Sequence, residues 1–190
     1  MLQNKKGAST MIFQSASLKL TQVLPERFDQ LTQFYRDAID HTPEMERFGR
    51  WIYGLHPTDG MILDYIRSGA MFTCEDKGEI LCAFALTPSQ GSDYHGTGWE
   101  RALADDEVAV VHLLCVNPDY QHQEIGRRVM ELAADLALEM GKKAIRLDAL
   151  ACNTPAQQLY ESLGFQKKGI AHWFADNVGW TDFYLYELLL

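Results

Sequence analysis

A chain of 190 residues, 47% hydrophobic and 23% charged, is long enough to bury one full core and has the composition of an ordinary globular domain. Its formal charge of −9, from 26 acidic against 17 basic residues, argues against a nucleic-acid binder, which neutralises phosphates with clustered Lys and Arg. No apolar run approaches the roughly 20 residues that span a bilayer, and no hydrophobic stretch follows Lys5 and Lys6, so neither a membrane span nor a secretory signal is expected.

Residues 1–16 read as a loosely ordered extension of a single domain over 17–190, without internal repeat or linker. A short strand is expected at 18–20. From Pro25, the residues Phe28, Leu31, Tyr35, Ala38 and Ile39 recur at helical spacing, with Pro25 near the helix start. A second helix is expected over 59–68, stopped by Gly69. Segments 71–75 and 80–86 form a hairpin around Asp76-Lys77-Gly78. A long polar loop over 89–106 carries Tyr94, His95 and Trp99, and loops of that length often serve function. Strand, helix, strand and helix follow at 107–116, 125–140, 143–150 and 154–163. Closing strands at 165–170 and 181–187 complete a mixed α/β order. The four cysteines show no CxxC pair, and three lie in or beside strand-like segments as buried thiols do, which suits a reducing, cytoplasmic compartment.

Val108–Val116 is apolar at every position but His112 and reads as a central strand buried on both faces. It ends at Asn117-Pro118, because Pro118 has no N–H with which to continue a ladder. The turn Tyr120-Gln121-His122-Gln123-Glu124-Ile125-Gly126 leads straight into a helix whose Ile125, Val129, Leu132, Ala133, Leu136 and Met140 share one face. The first amides of a helix lack internal partners and carry partial positive charge. A strand, a glycine-containing turn and a helix start therefore suit an anion such as a pyrophosphate, reinforced here by Arg127 and Arg128. Downstream, Thr154-Pro155-Ala156-Gln157 supplies a capping box, which leaves the amide of Asn153, just outside it, free for another partner. Ala156, Leu159, Tyr160 and Leu163 share one face of this helix, and Gly164 ends it.

Leu114-Cys115-Val116-Asn117-Pro118, Gln121-His122-Gln123-Glu124-Ile125-Gly126, Asn153, Ala156 and Leu159-Tyr160-Glu161-Ser162-Leu163-Gly164-Phe165 together resemble, in spacing and order, the GNAT superfamily of acyl-CoA-dependent N-acyltransferases. The resemblance covers residues 107–165 and identifies the superfamily, not a subfamily. It implies an α/β (α+β) fold: a mixed, mostly antiparallel sheet of about six or seven strands flanked by about four helices, its central strand splayed to admit coenzyme A. One position departs from the pattern. The family's phosphate-binding turn reads Gln or Arg, two residues, Gly, one residue, then Gly or Ala; Gln121 and Gly126 match, but Glu124 replaces the first glycine. A glycine lets backbone approach the pyrophosphate without a Cβ, and a screened carboxylate nearby costs a few tenths to about 1 kcal/mol.

By the same resemblance the co-substrate is acetyl-CoA, with no metal. Backbone groups of Leu114 and Val116 would bond the pantetheine arm, and an amide near Leu114 or Cys115 would polarise the thioester carbonyl as it becomes an oxyanion. Gln121 leads the turn, and the amides of His122, Gln123, Glu124, Ile125, Gly126 and Arg127 would hold the pyrophosphate. Asn153 would bond the pantetheine. Tyr160 resembles the general acid that protonates the departing thiolate; by position alone it is equally a core aromatic. Three residues are candidates for the base that takes the amine's proton. His112 is the polar residue of the central strand, on the face of Leu114 if no bulge intervenes. Glu107 lies at the strand's start, and Asp148 is the third, unless it serves as a structural partner of Arg146 or of a loop amide. Trp51, Tyr53, Trp99, Trp173 and Trp180 either line an acceptor pocket or pack the core.

The implied function is acetyl transfer to an amine of a small-molecule or peptide acceptor, by direct attack in a ternary complex, with Cys115 not a nucleophile. The alternative is a non-catalytic CoA-binding sensor or interaction module on the same fold, which Glu124 favours and which Tyr160 and Asn153 oppose. Neither nucleic acid nor membrane is expected as a partner. A homodimer through the last strand and its terminal leucines is open.

Overall fold

The structure, a computed structural model, describes residues 18–190. The extension expected over 1–16 lies outside them. Strand β1 (Leu20–Gln22) leads through a tight turn at Pro25–Arg27 into α1 (Phe28–His41). Next come α2 (Asp59–Arg67), β2 (Met71–Asp76), β3 (Glu79–Thr87) and β4 (Val108–Val116). The chain then forms α3 (Ile125–Glu139), β5 (Ala144–Leu150), α4 (Thr154–Ser162), β6 (Gln166–Ala175) and β7 (Gly179–Leu189). All seven strands join one sheet, ordered β1-β2-β3-β4-β5-β7-β6, in which only β4 and β5 run parallel. The mixed, mostly antiparallel α/β architecture is the one expected.

Helices cover both faces because each carries one apolar stripe. On one side α1 buries Leu31, Phe34, Tyr35 and Ala38, and α2 buries Ile62 and Ile66, against Met71, Ala83, Ala85, Leu113 and Cys115. Thr58 caps α2 by accepting the Met61 N–H at 3.1 Å. On the other side α3 and the Tyr160 ring of α4 cover Leu81, Phe84, Ala109, Val111, Ile145 and Leu147. The α3 stripe is rotated from the one expected: Met130 and Ala137 join Ile125, Val129 and Ala133 in the core, whereas Met140 stays 38% exposed. Every apolar residue of β4 contributes to one of these two cores or to a third cluster, in which Val108 and Val110 meet Tyr94 and Ala144; each Val or Leu is worth roughly 1.5–3 kcal/mol when fully buried.

Two boundaries differ from the sequence reading for identifiable reasons. β1 sits two residues later than expected, since Leu20, Thr21 and Gln22 are the residues that pair with Cys74, Thr73 and Phe72. β6 and β7 are longer than expected and continue to the pair Ala175 and Gly179, so Trp173 and Trp180 lie within strands. Apolar residues on the exposed face, Ile170, Phe174 and Trp180, hide the alternation that would have revealed this in sequence. The last strand is also not a sheet edge: β7 lies between β5 and β6 and is paired on both sides over residues 183–187. The exposed edge on that side belongs to β6.

Candidate active site

The parallel pairing of β4 with β5 stops early. Val108, Ala109 and Val110 pair with Ala144, Ile145 and Arg146, and beyond them the strands part, although β4 continues to Val116 and β5 to Leu150. On its other side β4 remains paired with β3, but through a bulge: Ala85 faces His112 and Ala83 faces Cys115, so two residues, Leu113 and Leu114, stand opposite Phe84. Leu113 takes the left-handed backbone (φ +52°) that this requires. Its carbonyl accepts a 2.8 Å hydrogen bond from the buried Tyr35 hydroxyl of α1. In a trans peptide the N–H of Leu114 then points the opposite way, away from α1.

The bulge exchanges the faces of β4. Before it, Ala109 and Val111 face the α3 side; after it, Leu114 and Val116 do, while Leu113 and Cys115 join the α1 side. His112 stacks on Tyr65 of α2 with ring centroids 5.5 Å apart, so it lies on the α2 side and not on the face of Leu114 as bulge-free alternation would have it. Extending the β4–β5 register would bring His112 beside Asp148. The two therefore stand on facing sides of the opening.

At the far end of the opening the chain turns into α3. The first helical bond runs from the Arg128 N–H to the Glu124 carbonyl at 3.0 Å, and the amides of Ile125, Gly126 and Arg127 have no acceptor among the described residues. Gly126 is required for closeness: a Cβ there would lie 3.3 Å from Leu159 Cδ2 and 3.5 Å from Val116 Cγ2, so its absence lets α3 approach both α4 and β4. Glu124 adopts the left-handed conformation (φ +61°) that a glycine would take more cheaply, as does His122. The Glu124 carboxylate is turned outward and accepts from Arg127 Nε at 3.0 Å, while Arg127 Nη2 donates to Ser162 Oγ at 2.8 Å. Gln121 Nε2 donates to Thr42 Oγ1 at 3.2 Å, tying the turn to the end of α1, and reaches the Val116 carbonyl at 3.4 Å. Gln123 Nε2 donates to the Asp119 carbonyl at 3.2 Å.

Residues 28–165, well over half of the chain, match the sequence profile of the acetyltransferase (GNAT) family. The chain belongs to that family. Among its relatives, the ribosomal protein bS18-alanine N-acetyltransferase of Escherichia coli is 39% identical over 95 residues, which span 50% of this chain and 62% of that enzyme. The match thus falls short of two thirds of the relative's length. The fold resembles a GNAT acetyltransferase of Streptococcus agalactiae, with a TM-score of 0.68 at 15% identity over 91% of this chain and 95% of that one. It also resembles the yncA protein of Salmonella typhimurium, solved with acetyl-CoA, with a TM-score of 0.63 at 16% identity over 92% and 95% of the two chains.

In this GNAT chain the reactive groups expected from sequence do not all meet. Tyr160 is buried on α4 against Phe165 and Tyr186, and its hydroxyl donates to no group among the described residues. Burial raises its pKa, so the phenol keeps its proton. Asn153 is not outside the α4 cap but is the cap: its Oδ1 accepts the Ala156 N–H at 3.3 Å, in place of the Thr154 capping box, and only Nδ2 is left for a ligand. Glu107 lies at the opposite end of β4, seven residues and roughly 23 Å of strand from Leu114. It is held by Lys143 Nζ and by the Ala104 N–H, which keep its carboxyl below the usual range. The bonding of Glu107 is that of a loop cap, and the opening lies elsewhere.

Asp148 has no ion pair with Arg146, which bonds Glu187 instead. Its Oδ1 accepts the Tyr94 hydroxyl at 2.7 Å. Burial raises its carboxyl pKa, opposed by the Tyr94 bond and by His56, and its charge in turn raises Tyr65 and Tyr160. His112 is pushed down to about 4 by burial and is neutral at pH 7; its Nε2 lies 3.4 Å from Thr87 Oγ1. The sequence reading passed over His56, Tyr65 and Tyr94 as site residues. Tyr94 and His56 sit on irregular segments, and the only sign of Asp148 was one carboxylate in an otherwise apolar strand that also carries Arg146.

Proposed function

We propose that the chain is an acetyl-CoA-dependent N-acetyltransferase acting on an amine of a small molecule or peptide, with Asp148 as base and Tyr160 as acid. The observation that carries this reading is the opening between β4 and β5: unpaired amides of α3 stand at its outer end, and Asp148 lies on the part of β5 that has left β4, close enough for its charge to raise the Tyr160 phenol. The residues present fit acetyl-CoA. The amides of Ile125, Gly126 and Arg127 suit a diphosphate, the unpaired stretch of β4 suits the pantetheine arm, and Asn153 Nδ2 is a free donor beside it. Glu124, turned toward Arg127, leaves those amides open, which removes the feature that favoured a non-catalytic CoA-binding module.

When bound, acetyl-CoA supplies the activated acyl thioester; the protein supplies proton traffic and polarisation. Asp148 takes a proton from the acceptor ammonium. His112 is the poorer choice on energetic grounds. Moving a proton from a lysine-like ammonium to an imidazole near pKa 4 relocates a positive charge and is uphill by roughly 9 kcal/mol. Moving it to Asp148 neutralises an ion pair, and a dry opening favours the neutral products, which narrows the gap. The freed nitrogen forms the new C–N bond while the Leu114 N–H polarises the carbonyl. Tyr160 gives its proton to the sulfur as the C–S bond breaks, and the nitrogen's second proton restores the phenol. Cys115 takes no part: burial pushes its thiol up to about 12, leaving no thiolate.

The acceptor would enter past a cavity of about 500 Å³ lined by Asp40, Glu44, Glu46, Arg50, Trp51 and Asn177. Three carboxylates against one guanidinium suit a cationic acceptor. Thiol release from acetyl-CoA over a panel of polyamines, amino acids, aminoglycosides and peptides with free N-termini tests the function. Turnover with one amine class, absent in Asp148→Asn, is expected. CoA binding without thiol release on any amine would return the sensor reading.

A further inference from the structure

Arg146 and Glu187 form a buried ion pair, their side chains 1% and 0% exposed. Removing two charges from water costs about as much as their attraction returns, so such a pair is weak support for stability by itself. Its remaining bonds point to another purpose, because they converge on the 88–106 loop. Arg146 Nε and Nη2 donate to Glu187 Oε1 at 3.0 and 2.8 Å, leaving Nη1 for Gln90 Oε1 at 2.6 Å and Nη2 to reach the Arg101 carbonyl at 3.2 Å. Glu187 Oε2 accepts the Glu100 N–H at 3.0 Å. The guanidinium lies 4.0 Å over the Trp99 ring, and Trp99 Nε1 donates to the Tyr94 carbonyl at 2.8 Å. Gln90 Nε2 completes the set on Asp105 Oδ1 at 2.8 Å. The start, middle and end of the loop are thus fastened to one charged pair on β5 and β7. An apolar pair would fill the same volume but could hold neither the Glu100 amide nor the Arg101 carbonyl.

What the loop delivers is Tyr94. Its ring, 4% exposed, stacks on Trp99 at 6.1 Å and packs on Trp173 at the same distance. Its hydroxyl ends on Asp148 Oδ1 at 2.7 Å, two residues along β5 from Arg146. No other side chain donates to Asp148 among the described residues. Resting on the assignment of Asp148 as base, we propose that the 88–106 loop is a positioning device: Tyr94, locked by the Arg146–Glu187 pair, holds one carboxylate oxygen and aims the other at the acceptor amine. The groups that face this carboxylate are Tyr94 and Asp93 from the loop, His56 from the α1–α2 connection, Tyr65 from α2, His112 from β4 across the opening and Tyr160 from α4. Of these side chains only Tyr94 hydrogen-bonds it; the other donor is the Asp148 backbone amide.

A hydrogen bond to a carboxylate favours the charged form, so removing it raises the carboxyl pKa. In Tyr94→Phe the ring packing is retained and only the hydroxyl is lost. With the full chain labelled at aspartate Cγ, the Asp148 resonance is identified by its loss in Asp148→Asn and followed with pH. Its midpoint is expected to rise by about one pH unit in Tyr94→Phe. The acidic limb of thiol release from acetyl-CoA, with water as acceptor where no amine is supplied, should rise by the same amount while acetyl-CoA affinity stays within about two-fold. An Asp148 midpoint unmoved by Tyr94→Phe overturns the proposal, and so does a moved midpoint with an unmoved limb. Full activity in Asp148→Asn would instead overturn the base assignment and leave the carboxyl titration to judge the Tyr94 contact.

Discussion

The outer and inner ends of the β4–β5 opening are built by different means. At the outer end, a strand break at Pro118 is followed by a short turn and a helix start, and the groups proposed to hold the ligand are main-chain amides placed by local sequence. At the inner end, the proposed base and acid, Asp148 and Tyr160, and the side chains around Asp148 come from five separate places: His56, Tyr65, Tyr94, Asp148 and Tyr160. They are brought together by the Arg146–Glu187 anchor and by the splay itself. A site made of backbone tolerates exchange of the side chains around it. A site assembled from distant side chains does not.

That contrast sets the order of expected effects. Asp148→Asn, which removes the base from the inner end, should lower kcat/KM by about 10²–10⁴ while acetyl-CoA binding persists; a loss below ten-fold would give the base role to His112 or to a water chain. Tyr160→Phe should lower kcat by about ten-fold or more with little change in acetyl-CoA affinity, and unchanged turnover would leave its phenol as packing. The smallest effect belongs to the outer end. Glu124→Gly relieves a left-handed non-glycine residue and deletes a carboxylate, so CoA should bind a few-fold more tightly, on the order of 1 kcal/mol, by calorimetric titration. Weaker binding would mean that the Glu124–Arg127 bond orders the turn.

The same contrast decides what could be read in the sequence. The element order, the central strand and the α3 turn were legible because each depends on short-range pattern: an apolar run, a proline stop and an amphipathic helix. Asn153 was expected just outside the α4 cap but is the cap itself, since Asn caps helices as well as Thr and the spacing to Ala156 suits either. His112 was expected on the face of Leu114 only in an unbroken strand, and the bulge that separates them leaves no glycine to mark it; Leu113 carries the positive φ, stabilised by a Tyr35 hydroxyl that is 78 positions away. Tyr94 was passed over for a similar reason. A buried ion pair between Arg146 and Glu187, 41 residues apart, fixes the loop that carries it, and no local pattern encodes such a pair. Glu107 was a second candidate after His112 because it lies at the start of β4, yet its bonds to Lys143 and Ala104 are those of a loop cap.

The most direct test of the site is a titration of the ¹⁵N-labelled chain with CoA, read at single amides. The Ile125, Gly126 and Arg127 resonances should shift first and furthest, followed by Leu114 and Asn153, with β1 and the β6 edge unmoved. Saturation that leaves the three α3 amides in place, or no shift anywhere at millimolar CoA, would contradict the account.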